Sequence, residues 1–315
     1  TYQNLDRHKR ALSSFLKAIE IIPDSPHVLI FIGIAYNNLG EYEKALHFLE
    51  KGNELKTSSS SLFNLASYHL TQGNIAKAEE SLLKSYKLHP TSLKLVHLGD
   101  CRFFLKDIKV GEDYYERALK SSPDSHFVLY HTACLLLIKE NFEEGWELYD
   151  NRLKTKTCQS ITSFKIDQFP KEVKNVLIIT ECGIGLGEFF LFSYFFSELK
   201  KYPSITIDIE TDARLIPLYK RSFPEINFIP KEITFKEDYE SFFPIGHLGK
   251  FFGKNKATFP KKAPYLITDS QQSQYFKEKY KKLFPNKRLI GFSWKSINDN
   301  VGFSRSIPLE TLISS

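Results

Sequence analysis

Residues 173–201, VKNVLIITECGIGLGEFFLFSYFFSELKK, decide how the second half of this chain folds. Val176-Leu177-Ile178-Ile179-Thr180 is a short apolar run rich in β-branched residues, the composition that a parallel strand buried on both faces requires. Gly183, Gly185 and Gly187 follow, and without a Cβ they let the chain turn sharply and pass close to a ligand. Glu188 comes next, after which Phe189, Phe192, Phe196 and Leu199 recur at helical spacing. The glycines therefore lie between the carboxyl end of a strand and the amino end of a helix. In an open α/β sheet that junction is where ligands bind, because free amide N–H groups and the positive end of the helix dipole face the crevice.

Downstream, residues 205–210 alternate as a second strand, residues 213–219 begin a helix, and residues 226–229 form a third short strand. That succession predicts a parallel, doubly wound sheet. A loop with Phe242-Phe243-Pro244, a short helix over 247–252 and a basic helix over 271–283 come next. Residues 288–294 read as a further strand that opens a second sheet, of which 287–315 hold only the start.

Upstream, residues 1–153 repeat at a period of 33 to 34. Ala11, Ala45, Ala78, Gly111 and Gly145 fall in register, as do Phe15, Leu49, Leu82, Tyr115 and Tyr149. Gly33, Ala66, Gly99 and Ala133 keep the same step, and Pro23, Pro90 and Pro123 close units. Small residues at fixed places let the two helices of a hairpin approach, and large ones fill the gap between them. The pattern resembles the tetratricopeptide repeat (TPR), with the first repeat lacking its leading helix. Such an α-solenoid binds extended peptides or proteins in its groove and has no catalytic pocket of its own. Residues 154–170, polar and Thr-rich, read as a linker.

With 315 residues, 42% hydrophobic and 14% aromatic, the chain has apolar material for about two domains. No apolar run approaches the ~18–20 residues that span a bilayer, so a soluble cytoplasmic protein is expected. The absence of Met, even at position 1, and the abrupt end suggest a piece of a longer protein. Cys101, Cys134, Cys158 and Cys182 form no Cys-x-x-Cys pair and have no nearby His cluster, which argues for free thiols and against zinc or a disulfide framework. Net charge is +6, and residues 231–288 carry 13 Lys and Arg against 6 Asp and Glu, the whole excess. The surplus reads as a solvated face, with attraction of an anionic donor or a nucleic acid as the alternative. No helix-turn-helix, zinc-finger or RNA-binding aromatic signature accompanies it, and no nucleic-acid partner is expected.

Four landmarks in order carry a second resemblance. Gly145-Trp146-Glu147-Leu148-Tyr149-Asp150-Asn151-Arg152 resembles the Gly-Trp-x-x-Tyr-x-x-Arg ending found where bacterial TPR arrays join a glycosyltransferase-like domain. Glu181-Cys182-Gly183-Ile184-Gly185-Leu186-Gly187-Glu188 is similar to the Glu-Gln-Gly-Leu-Gly-Asp segment of TPR-linked bacterial glycosyltransferases. These are relatives of the heptosyltransferases and, more distantly, of the O-linked N-acetylglucosamine transferases. Pro264-Tyr265-Leu266 and Arg305-Ser306-Ile307-Pro308-Leu309 match further landmarks of the group. The resemblance implies a GT-B architecture, with residues 171–286 as an N-terminal Rossmann-like domain and 287–315 as the start of a second. It implies a nucleotide-sugar as substrate, a protein or glycan acceptor recruited through the TPR groove, and no metal or cofactor.

By the same resemblance Glu188 takes the place of the base that deprotonates the acceptor hydroxyl, with Glu in place of Asp. Helix capping is the structural alternative for that side chain. Gly183, Gly185 and Gly187 would offer amides to donor phosphates or acceptor, or merely make a tight turn. Arg305 would neutralise the leaving diphosphate, with Ser293 and Trp294 beside it and His247 near the cleft. The residues exclude two rivals: the dinucleotide fingerprint needs a glycine where Glu188 stands, and no Gly-Lys-Ser/Thr of a P-loop occurs. Asp208, Glu210 and Asp212 superficially suggest a metal-binding Asp-x-Asp, but a capping Asp and an exposed strand edge account for them more simply. A non-catalytic TPR scaffold with a degenerate transferase domain is the competing function.

Overall fold

The computed structural model describes residues 2–154, 166, 168–181, 184–231, 238–260, 265–285 and 287–288. The chain divides into two compact units, the first ending at Pro123 and the second beginning at Asp124.

The first unit is a helical solenoid: α1 (Tyr2–Ile21), α2 (Pro26–Asn38), α3 (Tyr42–Leu55), α4 (Ser59–Thr71), α5 (Ile75–Leu88), α6 (Ser92–Phe104) and α7 (Ile108–Ser121). Ser25, Ser58 and Thr91 cap α2, α4 and α6, each accepting from the amide three residues on, so the repeat carries its own helix-start signal. The small residues do what their spacing predicted. A Cβ on Gly33 would lie 2.7 Å from Leu49 Cγ, and one on Gly99 the same distance from the Tyr115 ring. Leu49, Leu82 and Tyr115 are buried there, and each large apolar side chain so placed is worth roughly 1.5–3 kcal/mol.

Each hairpin turns through one residue with positive φ: Gly40 at 78° and Gly73 at 71°, then Lys106 at 62° and, in the second unit, Glu140 at 64°. A side chain in this left-handed region costs about 1 kcal/mol, which glycine avoids. Lys106→Gly and Glu140→Gly should each raise stability by about 0.5–1 kcal/mol in urea unfolding, against the usual penalty for introducing glycine.

Cys101 is fully buried, and burial, helped by Asp100, pushes its thiol up to about 12. An unfolded thiol ionises near 8.5, so the neutral core thiol contributes full stability below that pH and loses it as pH rises toward the folded value. Cys101→Ala should remove a slope of about 1.4 kcal/mol per pH unit from stability measured between pH 9 and 11.

In the second unit α8 (His126–Ile138) and α9 (Phe142–Tyr149) continue the period, and a 3-10 turn (Asp150–Lys154) ends them. Then come β1 (Asn175–Ile179), α10 (Leu186–Ser193), α11 (Phe196–Leu199), β2 (Thr206–Thr211), α12 (Ile216–Ser222), β3 (Asn227–Pro230), β4 (Ser241–Pro244), α13 (His247–Phe252) and α14 (Ser270–Leu283). The four strands form a small parallel sheet in the order β3-β2-β1-β4. Residues 242–244, expected in a loop, instead pair with β1 from Val176↔Ser241 to Ile179↔Pro244. The strand is four residues long and ends on proline, which cannot donate to a ladder, so its sequence carries little strand signal.

Phe189, Phe192, Phe196 and Leu199 are all buried, although the chain breaks its helix at Tyr194-Phe195 between α10 and α11. They meet Val176, Ile178, Ile207, Ile209, Tyr219 and Phe228 in one core, which also takes in Trp146 from α9. The last helical hairpin is thus built into the α/β unit. The strand expected over 288–294 lies outside the described residues except for Arg288.

Candidate functional site

β2 and β3 lie on one side of β1 and β4 on the other, so the chain reverses its winding at β1. Ligands of open parallel sheets bind at the strands' carboxyl ends near such a reversal. Two features occupy this end of the sheet.

The first is a cleft of about 470 Å³ over β1, β2 and β3, lined among others by Thr180, Gly185, Leu186, Thr211, Asp212 and Lys231. The amino end of α10 opens onto it. Thr180 Oγ1 donates to the Glu210 carbonyl at 2.6 Å, whereas Thr211 Oγ1 is buried without a hydrogen-bond partner. Asp212 accepts from Arg214 Nη2 at 2.7 Å and from its Nε and backbone N–H at 2.9 Å. These bonds, the side-chain ones foremost, hold the Asp212 carboxyl down to about 2. Asp212 is a turn cap as expected, but Asp208 and Glu210 do not lie on an exposed edge: β2 is flanked by β3 and β1, and Glu210 is buried. Among the described residues no group of three His, Cys, Asp or Glu side chains is arranged for a metal ion.

The second feature fills the space between the ends of β1 and β4. Arg152, from the 3-10 turn, donates to Glu181 Oε1 from Nε at 2.9 Å and from Nη2 at 2.6 Å. It also donates from Nη1 to the Tyr149 carbonyl at 3.1 Å and to Asp150 at 3.3 Å, and its guanidinium lies 4.4 Å from the Tyr149 ring centroid. Side-chain exposure is 7% for Arg152 and 1% for Glu181. Burial alone would lower the Arg152 pKa, but the adjoining Glu181 outweighs it and the net shift is upward, so the guanidinium stays charged. The pair is seated against Gly246, where a Cβ would come within 2.8 Å of Glu181 Oε1 and closer still to Arg152. Trp146 Nε1 donates to the Gly253 carbonyl at 2.8 Å, and a Cβ on Gly249 would lie 2.5 Å from its ring. The Gly-Trp-x-x-Tyr-x-x-Arg ending and the Glu that opens the glycine turn are therefore parts of one joint. No period or alternation in the sequence signals that contact.

Glu188 stands in the first turn of α10, exposed, with Oε2 accepting from the Gly185 N–H at 3.1 Å. Its neighbours Gly185 and Phe189 line the cleft. Gly187 is exposed, and a Cβ there would meet nothing within 4 Å. His247 begins α13 and is buried against Phe243 and Phe251, with Nε2 3.7 Å from Asp150 Oδ1. Lys250, read as part of a solvated face, is buried and paired with Asp150 at 3.2 Å and Glu147 at 3.3 Å. The exposed lysines of α14 do fit that reading. Gly183, Ser293, Trp294 and Arg305 lie outside the described residues.

Residues 1–25, 26–58, 59–92 and 95–125 each match the tetratricopeptide repeat model. Residues 1–125 are built of TPR repeats. Over 310 residues the chain is 24% identical to protein FlbA of Caulobacter vibrioides, covering 90% of this chain and 51% of FlbA. The chain thus spans about half the length of that curated relative. Among solved structures, PilF of Pseudomonas aeruginosa is 20% identical with a TM-score of 0.43, covering 49% of this chain and 71% of that one. The thermophilic TPR protein TTC0263 of Thermus thermophilus is 18% identical with a TM-score of 0.42, covering 49% and 86%. Among the described residues no helix is long and apolar enough to cross a membrane.

Proposed function

We propose that the TPR repeats are a protein-recruiting arm and that the α/β unit is the acceptor-side, Rossmann-like domain of a cytoplasmic GT-B glycosyltransferase. The observation that carries this reading is the cleft over β1, β2 and β3, closed by the glycine turn and the amino end of α10. In the proposed reaction the Glu188 carboxylate takes the proton from an acceptor hydroxyl as its oxygen attacks the sugar's anomeric carbon. The bond from that carbon to the diphosphate breaks and the electron pair leaves with the nucleotide, inverting the centre. Gly183, Gly185 and Gly187 would supply main-chain donors, and Arg305, with Ser293 and Trp294, would meet the departing diphosphate. The nucleotide-sugar is a substrate, and the reading needs neither metal nor cofactor. The test is transfer of radiolabelled sugar from nucleotide-sugars to a partner captured by the full-length protein; capture with no transfer from any donor tried would overturn it.

The bond from the Gly185 amide to Glu188 favours a second reading, in which that acid only caps α10 and the chain is a non-catalytic interaction scaffold. Partner capture with no detectable nucleotide-sugar binding would be its signature.

A further inference from the structure

None of the 14 residues of α14 is buried. Phe276, Tyr280 and Leu283 stand at i, i+4 and i+7 and so form one apolar strip along the helix, with the Phe276 and Tyr280 rings stacked at 6.2 Å. These side chains are 40–57% exposed, and Phe284, just past the helix, is 48% exposed. Wetting such a strip is costly, which is why one left on a surface marks an interaction site. The helix itself has the same need. It holds no alanine, and a helix of this length without a packed face is marginal in water.

The rim of the strip identifies what covers it. At about 100° per residue, Lys279 borders the strip on the Leu283 side and Lys277 on the Tyr280 side, with Lys281 and Lys282 on the far face. Lys287 and Arg288 follow, both exposed, so residues 270–288 set six cations against one acid, Glu278. Such a surface calls for an anionic partner. A second copy would bring the same lysines face to face, and residues 289–315 carry Asp299 and Glu310 against Lys295 and Arg305, with no net charge to answer α14. A low overall hydropathy, an apolar stripe and lysines along both of its borders is the pattern of a helix that lies in a lipid headgroup layer. The headgroups meet the ammonium groups, the acyl boundary takes the strip, and the lysine stems reach outward from beside it. Tyr280 suits that depth, with an apolar ring and a hydroxyl that stays wet. Among the described residues no helix is long and apolar enough to cross a bilayer, so α14 would lie on the surface.

We propose that α14 is a membrane-surface anchor, lying in the plane of a bilayer rich in anionic lipid with Phe276, Tyr280, Leu283 and Phe284 at the acyl boundary and the lysines among the headgroups. The inference uses none of the cleft residues, so it stands or falls apart from the transferase reading.

The test is flotation of the full chain with vesicles of phosphatidylcholine alone and of equal parts phosphatidylcholine and phosphatidylglycerol. The chain should bind the anionic vesicles about tenfold more tightly or better, and the difference should shrink as salt rises. Phe276→Ser, Tyr280→Ser and Leu283→Ser together should weaken binding about a hundredfold, and Lys277→Gln with Lys281→Gln about tenfold. Because no residue of α14 is buried, urea unfolding of the second unit should be unchanged in both variants. Tyr280→Trp should add an emission that shifts to the blue on anionic vesicles and stays unshifted on neutral ones. Equal binding to both vesicles, binding to neither, an unshifted emission, or anionic binding that the triple Ser variant keeps overturns the inference. So does a dimer in analytical ultracentrifugation that the triple Ser variant dissolves, since a second copy would then cover the strip.

Discussion

Replacing Arg152 with Met should destabilise the second unit by about 3–5 kcal/mol, the usual cost of stripping one partner from a buried ion pair. Glu181, at 1% side-chain exposure, would then be a carboxylate without a counter-charge beside the glycine turn. Urea unfolding followed through the fluorescence of Trp146, which is packed into the same unit, reads the loss directly. The double variant Arg152→Met with Glu181→Leu should recover most of the deficit, since an apolar pair of similar volume often matches a buried ion pair. Exposed pairs such as Lys84 with Glu80 should contribute little in the same assay, because solvent screens them. A loss that small for Arg152→Met would show that the joint between the helical hairpin and the sheet does not depend on the pair.

The repeats were legible because each one states its rule several times over. The small residues at Gly33, Ala66 and Gly99 recur with large ones at Leu49, Leu82 and Tyr115, and steric necessity at one hairpin is repeated at the next. The strand, glycine turn and helix around residue 185 were legible for another reason: buried β-branched residues, glycines and helical phenylalanines each favour one local state. β4 was not, because Ser241-Phe242-Phe243-Pro244 is too short to show a period and its strand character comes from pairing with β1. The Arg152–Glu181 joint spans 29 positions, and its meaning depends on a hollow that Gly246 leaves open. Lys250 was misread for the same reason: a lysine in a basic stretch looks solvated until its neighbours Asp150 and Glu147 are folded onto it.

Glu188→Ala should lower sugar transfer by the full-length protein about 10²- to 10⁴-fold in kcat, the range expected for a general base, with little change in the KM for the donor. The structural cost is small, because the side chain is exposed and its hydrogen bond from the Gly185 amide three residues back is worth about 1 kcal/mol as a cap. That bond also defines what catalysis would ask of the residue: the carboxylate must leave the amide and turn to the acceptor hydroxyl. Glu188→Gln keeps an acceptor for the cap but removes the base, so a catalytic role predicts that Gln is as damaging as Ala, whereas a capping role predicts that Gln is nearly neutral. Gly187 supplies a control independent of charge. A Cβ there meets nothing within 4 Å, so Gly187→Ala should fold as well as wild type. If it nevertheless abolishes transfer, the space beside that backbone belongs to a substrate and the cleft is an active site. If Gly187→Ala and Glu188→Gln both leave turnover intact, the turn is only a turn and the base lies elsewhere; the scaffold reading stands only if the wild type itself transfers no sugar.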